Sequence, residues 1–435
     1  MDGQMDKKTC SQINGIRTEA VDVVIVGGGP AGLAAAVELY HKGIHDILIV
    51  EREKQLGGIL RQCIHDGFGL TRFCTTLSGP EYAKRFIDEV EELKIPYITD
   101  AAVLEVTDAK LVTAATRDGL RQWQAKSVIL TMGCRERTRG ALGIPGERPT
   151  GVFTAGVAQA YINLYNTMPA REVVILGSGD IGMIMARRLT LEGAHVQAVF
   201  EIQPYPSGLP RNIEQCLNDY GIPLYLSHTV TAIHGDKRLT GVTISQVDEH
   251  FKPIPGTEFD IDCDTLLLSV GLIPENELSR GLGLAMHPLT NGPIVDQHRE
   301  TSIPGIFAAG NVVHVHDLVD FVSEEAEIAG KYAALKAQEQ LPEDVADVKV
   351  EAIDEVRTCV PQHVRATAEG ETIRLFMRVR KPMKKVRLTV KSGDDTLLTK
   401  VLPVAKPSEM IAVNVPAEKA KGHHADWTVS VKEEA

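Results

Sequence analysis

A glycine-rich turn between an apolar strand and a helix constrains this chain more than any other feature. Residues 23–26 form an apolar run that leads into residues 27–32, which match the pattern G-x-G-x-x-G. In this pattern Gly27 permits a tight turn, Gly29 lets the backbone approach a pyrophosphate, and Gly32 lets the next helix pack closely on the strand. The segment therefore predicts a dinucleotide-binding site.

The residues after this turn supply the remaining parts of such a site. A helix predicted over about residues 30–42 has proline at its first position, and its N-terminal N–H groups would point at the phosphates. A second predicted strand, residues 47–50, leads to Glu51, which lies 19 residues after Gly32. A carboxylate at that position can accept both hydroxyls of an adenosine ribose. Strand, glycines, helix, strand and acid in this order make the prediction specific.

The same pattern recurs 150 residues further along the chain. Gly177, Gly179 and Gly182 match G-x-G-x-x-G again, and the second strand there ends at Glu201. Two complete fingerprints predict two dinucleotides, one bound tightly and one exchanging. Glu201 favours NAD over NADP, because a carboxylate would repel a 2′-phosphate and residues 202–204 contain no arginine. Asp180 is expected to act as a helix cap turned away from the ligand.

Composition limits the class of protein. The chain has 435 residues, of which 43% are apolar and 24% charged, so two or three globular domains are expected. A net charge of −12 argues against nucleic acid as the main partner. There is no apolar run of membrane-spanning length, and residues 1–20 are polar and mixed, so a cytoplasmic location without an integral membrane segment is expected. The seven cysteines are scattered and lack a CxxC spacing, which favours reduced thiols.

Three further segments complete the pattern. Residues 57–69 form a glycine-containing loop expected to lie at the edge of a cofactor. An apolar run ends at Gly133, and a short apolar strand within residues 301–311 ends at Gly310 and Asn311. A helix beginning near residues 320–325 has acidic residues in its first turn, and its N-terminus could stabilise negative charge on a reduced ring.

These signals, in this order, resemble the two-dinucleotide-domain flavoproteins of the pyridine nucleotide-disulfide oxidoreductase superfamily over about residues 22–341. The resemblance implies an α/β fold with two Rossmann-like domains, FAD at the first fingerprint and NAD(H) as co-substrate at the second. The implied FAD-binding residues are Gly27, Gly29, Pro30, Ala31, Gly32, Glu51, Gly58, Ile59, Val103, Thr131, Gly133, Gly310 and Asn311. The implied NAD-binding residues are Gly177, Gly179, Asp180, Ile181, Gly182, Glu201 and Gly271. The superfamily usually has aspartate where this chain has Asn311.

The predicted organisation has five segments. They are an N-terminal tail (1–21), a first part of the FAD domain (22–149), an NAD(P)H domain (150–270), a second part of the FAD domain (271–341) and a C-terminal β-rich module (342–435). In the module, alternating apolar residues predict strands around residues 373–379, 386–390 and 427–431, with a turn at residues 392–395, and a small antiparallel sandwich fits them. Eight basic residues between Arg374 and Lys391 form either a solvated sheet face or a docking face for an acidic partner.

Sulfur is where the chain departs from the disulfide reductases it resembles. Those enzymes need two cysteines at CxxC or CxxxxC spacing, whereas here Cys63 is followed next by Cys74. Residues 58–65, 177–182 and 310–317 resemble instead the FAD/NAD oxidoreductase subunits that accompany FAD-dependent glycerol-3-phosphate, proline or opine dehydrogenases. This resemblance implies an oligomer or hetero-complex in which the chain relays electrons between NADH and a second flavoprotein. The alternative is an autonomous NADH oxidase or NADH:acceptor reductase.

Hydride transfer between nicotinamide and flavin needs no acid–base side chain, so the catalytic candidates are few. Cys63 is either a redox thiol or a residue lining the flavin site, and His65 is either a proton carrier or a hydrogen-bonded loop residue. His314 and His316 with Asp317 offer donor atoms without a further ligand set, so no metal site is expected. A role for His316 in lining the flavin pocket or in electron entry is the preferred interpretation.

Overall fold

We analysed a computed structural model, which describes residues 10–13, 16–341, 346–366 and 370–434. The chain divides into two compact units. The first unit contains the described residues up to Arg61, Asp66–Cys134 and the described residues from Pro274 onwards, and the second contains Gln62–His65 and Arg135–Ile273. In the part of the chain that the structure describes, no helix is long and apolar enough to cross a membrane.

A sheet of mixed direction forms the centre of the first unit. Its strands follow in the order Tyr97–Ile98, Ile47–Val50, Ile16–Val26, Gly119–Leu130, Leu111–Thr116 and Ala102–Val106. The first four run parallel and the last three form an antiparallel meander. Ile306–Ala308 joins Gly119–Leu130 in parallel, and Cys10–Ile13 pairs antiparallel with Ile16–Val26.

Three helices cover this sheet, at Pro30–His41, Gly79–Glu92 and Val319–Ala337. Gly79–Glu92 begins with a capping box, in which Ser78 and Glu81 exchange hydrogen bonds with the first turn. The helices share one apolar core with the sheet, to which Val23, Ile25, Leu33, Phe86, Phe307 and Ala326 contribute. The first unit also contains the short helix Glu277–Gly281 and the short strands Asp66–Phe68 and Leu77–Ser78.

The second unit repeats this plan. Its parallel sheet has the order Val152–Thr154, Thr265–Leu268, Glu172–Leu176, His195–Glu201 and Leu224–Leu226. Its helices are Arg139–Leu142, Ala155–Asn163, Asp180–Leu191 and Pro210–Cys216, with a 3₁₀ turn at Asn218–Tyr220. A separate antiparallel sheet contains His228–His234, Gly241–Gln246 and Phe259–Asp262. Three short elements occur where the chain passes between the units: Gly58–Gln62, Cys134–Glu136 and Leu272–Pro274.

The C-terminal module is a two-sheet sandwich, as predicted. One sheet has the order His363–Ala366, Ala346–Ala352, Trp427–Glu433, Met383–Ser392 and Asp395–Ala405; the other contains Val356–Val360, Ile373–Val379 and Ile411–Val415. Side chains from both sheets share one core, which includes Val348, Leu375, Leu388, Val413 and Trp427. A short helix, Ala417–Ala420, completes the module. One detail was wrong: Ala346–Ala352 runs parallel to Trp427–Glu433, so the sandwich is not wholly antiparallel.

The observed divisions differ from the predicted ones in three places. Residues 16–21, assigned to a tail, extend the first fingerprint strand, because Thr18 pairs with Gln122 in the sheet. The second unit begins at Arg135 and ends at Ile273, outside the predicted limits of 150 and 270. The module packs within the first unit and does not form a unit of its own. Its predicted start, residue 342, and residues 1–9 of the predicted tail lie outside the described residues.

Ion pairs bind the module to the rest of the first unit and account for part of its basic cluster. Arg374 donates to both carboxylate oxygens of Glu324, each at 2.9 Å, and Arg378 donates to Asp317 at 3.1 Å. Arg365 forms an ion pair with Asp296 at 3.0 Å. Arg374 and Arg378 are therefore committed to contacts inside the unit, and the eight basic residues do not form one common docking face.

Candidate functional site

The first fingerprint turn has the shape that a pyrophosphate site requires. Gly27 has φ +108°, a conformation that favours glycine. A Cβ on Gly32 would lie 1.9 Å from the carbonyl oxygen of Gly27, so the helix could not begin this close to the strand with any larger residue. A Cβ on Gly58 would lie 3.0 Å from the Cα of Gly29. The loop after Glu51 therefore returns to the glycine turn.

Glu51 is buried at the end of its strand and organises the backbone around it. Gly28 N–H donates to Oε2 of Glu51 at 2.6 Å, and Glu53 N–H donates to Oε1 at 2.7 Å. A carboxylate has about four lone-pair sites, so Glu51 retains acceptor capacity for hydroxyl groups. Its predicted contact with a ribose is compatible with these hydrogen bonds.

The third motif lies against the start of the first fingerprint helix. A Cβ on Gly310, which has φ +78°, would lie 3.2 Å from the Cβ of Ala31. Asn311 is held by its neighbours, since its Oδ1 accepts His316 N–H at 2.9 Å and its Nδ2 lies 3.4 Å from Cys134 Sγ. The fold thus brings together two motifs that lie some 280 residues apart in sequence.

The other predicted FAD residues are distributed around this group. Pro30 is the first residue of the helix, and the Thr131 hydroxyl donates to the carbonyl oxygen of Val26 at 2.9 Å. Gly133 follows the strand Gly119–Leu130 with φ +72°, and Ile59 is exposed in the turn Gly58–Gln62. Val103 pairs with Ala114 in the antiparallel meander, on the strand that begins one residue after Ala101, whose N–H donates to Glu51 O.

The second fingerprint has the same geometry. Gly177 has φ +98°, and a Cβ on it would lie 2.1 Å from the carbonyl oxygen of Ser269. A Cβ on Gly182 would lie 2.7 Å from the Cβ of Ser269, and Gly182 N–H donates to Oγ of Ser269 at 3.0 Å. Gly179 and Ile181 complete the turn, while Gly271, with φ +99°, follows the supporting strand. Close approach of strand, turn and helix requires glycine here as it does in the first fingerprint.

Glu201 accepts more hydrogen bonds than its counterpart Glu51. Its Oε2 accepts Ser178 N–H at 2.9 Å, the Ser178 hydroxyl at 2.7 Å and the Ser207 hydroxyl at 2.8 Å. Its Oε1 accepts Gln203 N–H at 2.9 Å. Glu201 is buried, so it shapes this turn as well as placing negative charge at the ribose position.

Asp180 points away from the fingerprint turn, as predicted, but the prediction that it caps its own helix was wrong. One carboxylate oxygen accepts Leu209 N–H at 2.8 Å and Nδ2 of Asn212 at 2.6 Å. Leu209 is the N-cap residue of Pro210–Cys216, so Asp180 satisfies the start of that next helix. The carboxylate is thereby removed from the place where a pyrophosphate would bind.

Cys63 is a buried thiol in a setting that disfavours thiolate chemistry. Its Sγ lies 3.8 Å from Oε1 of Gln159, and burial raises its pKa to about 12. Since the thiolate is the reactive form, burial suppresses the redox role considered for this residue. His65 lines a cavity of about 250 Å³ together with Gln159, Asn163 and Arg187. Both candidates belong to the second unit, where the segment Gln62–His65 packs.

His316 is enclosed, which argues against lining the flavin pocket or receiving electrons at a surface. Its side chain is 0% exposed, and its Nε2 lies 3.1 Å from Oε2 of Glu325. His314 lies 3.1 Å from Oε1 of the same carboxylate, and burial lowers the pKa of His314 to about 4. The Phe376 ring of the module packs against both imidazoles. A side chain lining an open cofactor pocket would retain accessible surface.

The histidines belong to a buried ion-pair cluster that sequence reasoning did not find. Arg299 and Glu325 are both 0% exposed, with Nε of Arg299 3.0 Å from Oε1 of Glu325. Gly310 N–H donates to Oε2 of Glu325 at 2.8 Å. Donor atoms of His314, His316 and Glu325 lie within 4.8 Å of one another, but the guanidinium of Arg299 already supplies a cation to this carboxylate. The absence of a metal site therefore stays a prediction.

Comparison with known proteins identifies the family. The model of the pyridine nucleotide-disulphide oxidoreductase family matches residues 21–333. The chain belongs to this family. Its members are FAD-dependent pyridine nucleotide oxidoreductases, and the chain is an enzyme of this class. The resemblance inferred from the motifs, and the α/β fold with two dinucleotide domains, are thus confirmed.

Three relatives illustrate the range of the family. Hydrogen cyanide synthase subunit HcnB of Pseudomonas protegens is 27% identical over 340 residues, covering 73% of this chain and 70% of that protein. An opine oxidase subunit of Agrobacterium tumefaciens is 26% identical over 338 residues, covering 73% of this chain and 65% of that protein. The structure of thioredoxin reductase from T. acidophilum aligns with a TM-score of 0.59 and 26% identity, covering 74% of this chain and 98% of that one.

The residues of both turns fit the groups that family members use. The glycine-lined turn and helix N-terminus at Gly27–Gly32 suit a pyrophosphate, and Glu51 suits a ribose. When bound, FAD supplies the two-electron chemistry that accepts hydride from a pyridine nucleotide. The chain's own contribution is to hold the two groups through backbone donors, buried carboxylates and close-packed glycines. The described cysteine side chains are free thiols, so the chain differs from the disulfide reductases of its family.

Proposed function

We propose that this chain transfers hydride between NADH and bound FAD and passes electrons to a second flavoprotein, as the relay subunit of a dehydrogenase complex. The state of Cys63 carries the proposal. Its thiol is buried beside the Gln159 amide with a pKa raised to about 12, so electrons need an exit from the flavin that is not a thiol. A partner flavoprotein provides such an exit.

The relatives support the relay over an isolated oxidase. HcnB and the opine oxidase protein are both named as subunits, and each aligns with nearly three quarters of this chain. Neither name refers to a disulfide substrate. A multi-subunit oxidoreductase is therefore the assembly that we propose for this chain.

NADH is the proposed hydride donor because of the acid at the second ribose position. Glu201 is buried at the end of its strand and held by four donors, so its charge cannot turn away to admit a 2′-phosphate. The same argument assigns FAD to the first turn, where the third motif at Gly310 packs against the helix start at Ala31. A cytoplasmic location stays a prediction from the scattered cysteines.

An anaerobic absorbance titration of the purified protein tests this function. Addition of NADH should bleach the flavin absorbance near 450 nm, and NADPH should require a much higher concentration. Readmission of air should restore the absorbance slowly, because the natural acceptor is a protein. Rapid reoxidation with production of hydrogen peroxide would contradict the relay and identify an autonomous NADH oxidase.

A further inference from the structure

One helix of the second unit is apolar on both faces. Ala155–Asn163 directs Ala155, Ala158 and Ile162 into the core. Its outward face continues the apolar pattern, with Val157 and Tyr161 four residues apart and exposed. A helix that is apolar all round is normally covered on all sides. The outer face of this helix therefore has the character of an interface.

Neighbouring residues extend this face into a contiguous patch. The chain after the helix folds back, since Thr167 N–H donates to the carbonyl oxygen of Tyr161 at 2.8 Å, and the Tyr161 and Tyr165 rings contact edge to face. Tyr165 is 69% exposed and Leu191 is 55% exposed. We define the docking patch as Val157, Tyr161, Leu164, Tyr165, Met168 and Leu191. It offers roughly 500 Å² of apolar surface, at the upper end for a monomer and most of one side of a standard interface.

The charge around the docking patch selects the kind of partner. Residues 153–170 contain no acidic residue, although the chain as a whole has a net charge of −12. Beside the patch, the exposed Arg187 and the partly exposed Arg188 line the 250 Å³ cavity that also contains Leu191. Arg188 already pairs with Glu192 at 2.7 Å, whereas Arg187 donates to the Tyr220 hydroxyl. An apolar surface with a cationic edge is complementary to an apolar segment with carboxylates beside it.

The inner side of the same helix holds the segment that follows the predicted cofactor loop. Gln62 donates from Nε2 to the carbonyl oxygen of Gly156 at 2.8 Å, and Asn163 Nδ2 donates to the carbonyl oxygen of Gln62 at 2.8 Å. Gln159 accepts from both Gln62 and Cys63. Gln62 ends the turn that begins at Gly58, a predicted FAD contact. The helix thus connects the docking patch to the chain segment nearest the predicted flavin contacts.

We propose that the docking patch binds the partner flavoprotein through apolar side chains, with carboxylates of the partner facing Arg187. This inference rests on the proposed relay function and names the surface that serves it. A second copy of this chain is the weaker occupant, because a two-fold contact would place the cationic edge against itself.

The test uses the full chain, tagged at its own chromosomal locus and purified from its native source. Leu164→Ser combined with Tyr165→Ser removes apolar contact, and Arg187→Glu reverses the charge at the edge. The control is Leu104→Ser combined with Leu120→Ser, since these leucines are 56% and 50% exposed on the first unit. The amount of co-purified second flavoprotein is measured by its flavin content and mass, and the wild-type association is measured at low and high salt.

The wild type and the control should retain a stoichiometric second flavoprotein, and both patch variants should retain at least ten-fold less. Anaerobic bleaching of the chain's own flavin by NADH should be unchanged in all variants, which shows that they are folded. Retention of the partner by the patch variants would overturn the inference while leaving the relay function intact. Loss of a homodimer instead, measured by light scattering, would assign the docking patch to a second copy and also overturn it. If the wild type carries no second flavoprotein, the relay function fails and this inference fails with it.

Discussion

The carboxylate of Glu325 accepts the backbone N–H of Gly310 at 2.8 Å. Its other oxygen accepts the guanidinium of Arg299 at 3.0 Å, so a buried ion pair fixes the turn that carries the third cofactor motif. The Arg299 guanidinium lies 5.8 Å from the centre of the Phe376 ring of the C-terminal module. The module therefore covers the charges that hold a predicted FAD-binding turn in place.

Glu325→Gln should destabilise the chain and weaken FAD retention. Removing one partner of a buried pair leaves Arg299 uncompensated, which costs about 3–5 kcal/mol. Urea unfolding and the flavin-to-protein absorbance ratio measure the two effects. Glu324→Gln is the matched control on the same helix: its ion pair with Arg374 is 38% exposed and should contribute less than about 1 kcal/mol. Equal effects of the two substitutions would contradict the role assigned to Glu325.

The same cluster predicts how stability depends on pH. Burial lowers the pKa of His314 from 6.5 to about 4, so the folded chain leaves this imidazole neutral while the unfolded chain protonates it. Stability should therefore fall as pH decreases from about 6.5 to 4, by a total on the order of 3 kcal/mol. The pKa of Glu325 is well below 4.5, because His314, Arg299 and His316 favour its charged form, and this continues the decline in the same direction.

His314→Gln removes the titrating imidazole and should flatten the decline between pH 6.5 and 4. Substitution of the exposed His41 by glutamine should leave the slope unchanged. Urea midpoints across this pH range provide the measurement. A slope that is identical in the wild type and in His314→Gln would refute the assignment, whatever the absolute stability of the variant.

Two glycine substitutions should separate the two nucleotide sites. Gly32→Ala places a Cβ 1.9 Å from Gly27 O, and Gly182→Ala places one 2.7 Å from the Cβ of Ser269. The first variant should purify without flavin, whereas the second should keep its flavin and lose NADH binding by at least ten-fold. Gly281→Ala is the control, since a Cβ there meets nothing within 4 Å. Loss of flavin only in Gly182→Ala would reverse the assignment of the two sites.

Cys63→Ser should leave the reduction of flavin by NADH within about two-fold of the wild-type rate, because a thiol with a pKa of about 12 supplies no thiolate at neutral pH. Anaerobic stopped-flow absorbance at 450 nm measures this rate. Cys74→Ser, at an exposed thiol, serves as the control. A collapse of flavin reduction confined to Cys63→Ser would restore the redox thiol.

Local sequence patterns predicted most of both fingerprints. The strand Ile47–Val50 agrees with the predicted residues, and the first helix ends at His41, one residue before the predicted end. These elements are specified by residues near one another in sequence. Ser269 was missed although it supports the second turn as Thr131 supports the first, because the two lie 138 residues apart and not 150. Both follow an apolar strand and precede a glycine by two residues, a signal that could have identified Ser269.

The Arg299–Glu325 pair had no comparable signal. Arg299 lies in a loop and Glu325 in a helix, and neither position belongs to a periodic pattern. Contacts of this kind depend on how distant elements pack, as do the ion pairs of Arg374 and Arg378 that dispersed the predicted basic face. The sequence could show that these charges exist, but their partners follow from the tertiary fold.

Glu201→Gln should reduce discrimination against NADPH. The substitution removes the negative charge at the ribose position and keeps a side-chain carbonyl that can still accept some of the donors from Ser178, Gln203 and Ser207. Repulsion of the 2′-phosphate should weaken, so the ratio of NADH to NADPH efficiency in flavin reduction should fall by ten-fold or more. Glu51→Gln is the matched control at the first fingerprint and should change flavin retention without changing this ratio. An unchanged ratio in Glu201→Gln, with NADH binding intact, would mean that Glu201 only shapes the turn and that cofactor choice is determined elsewhere.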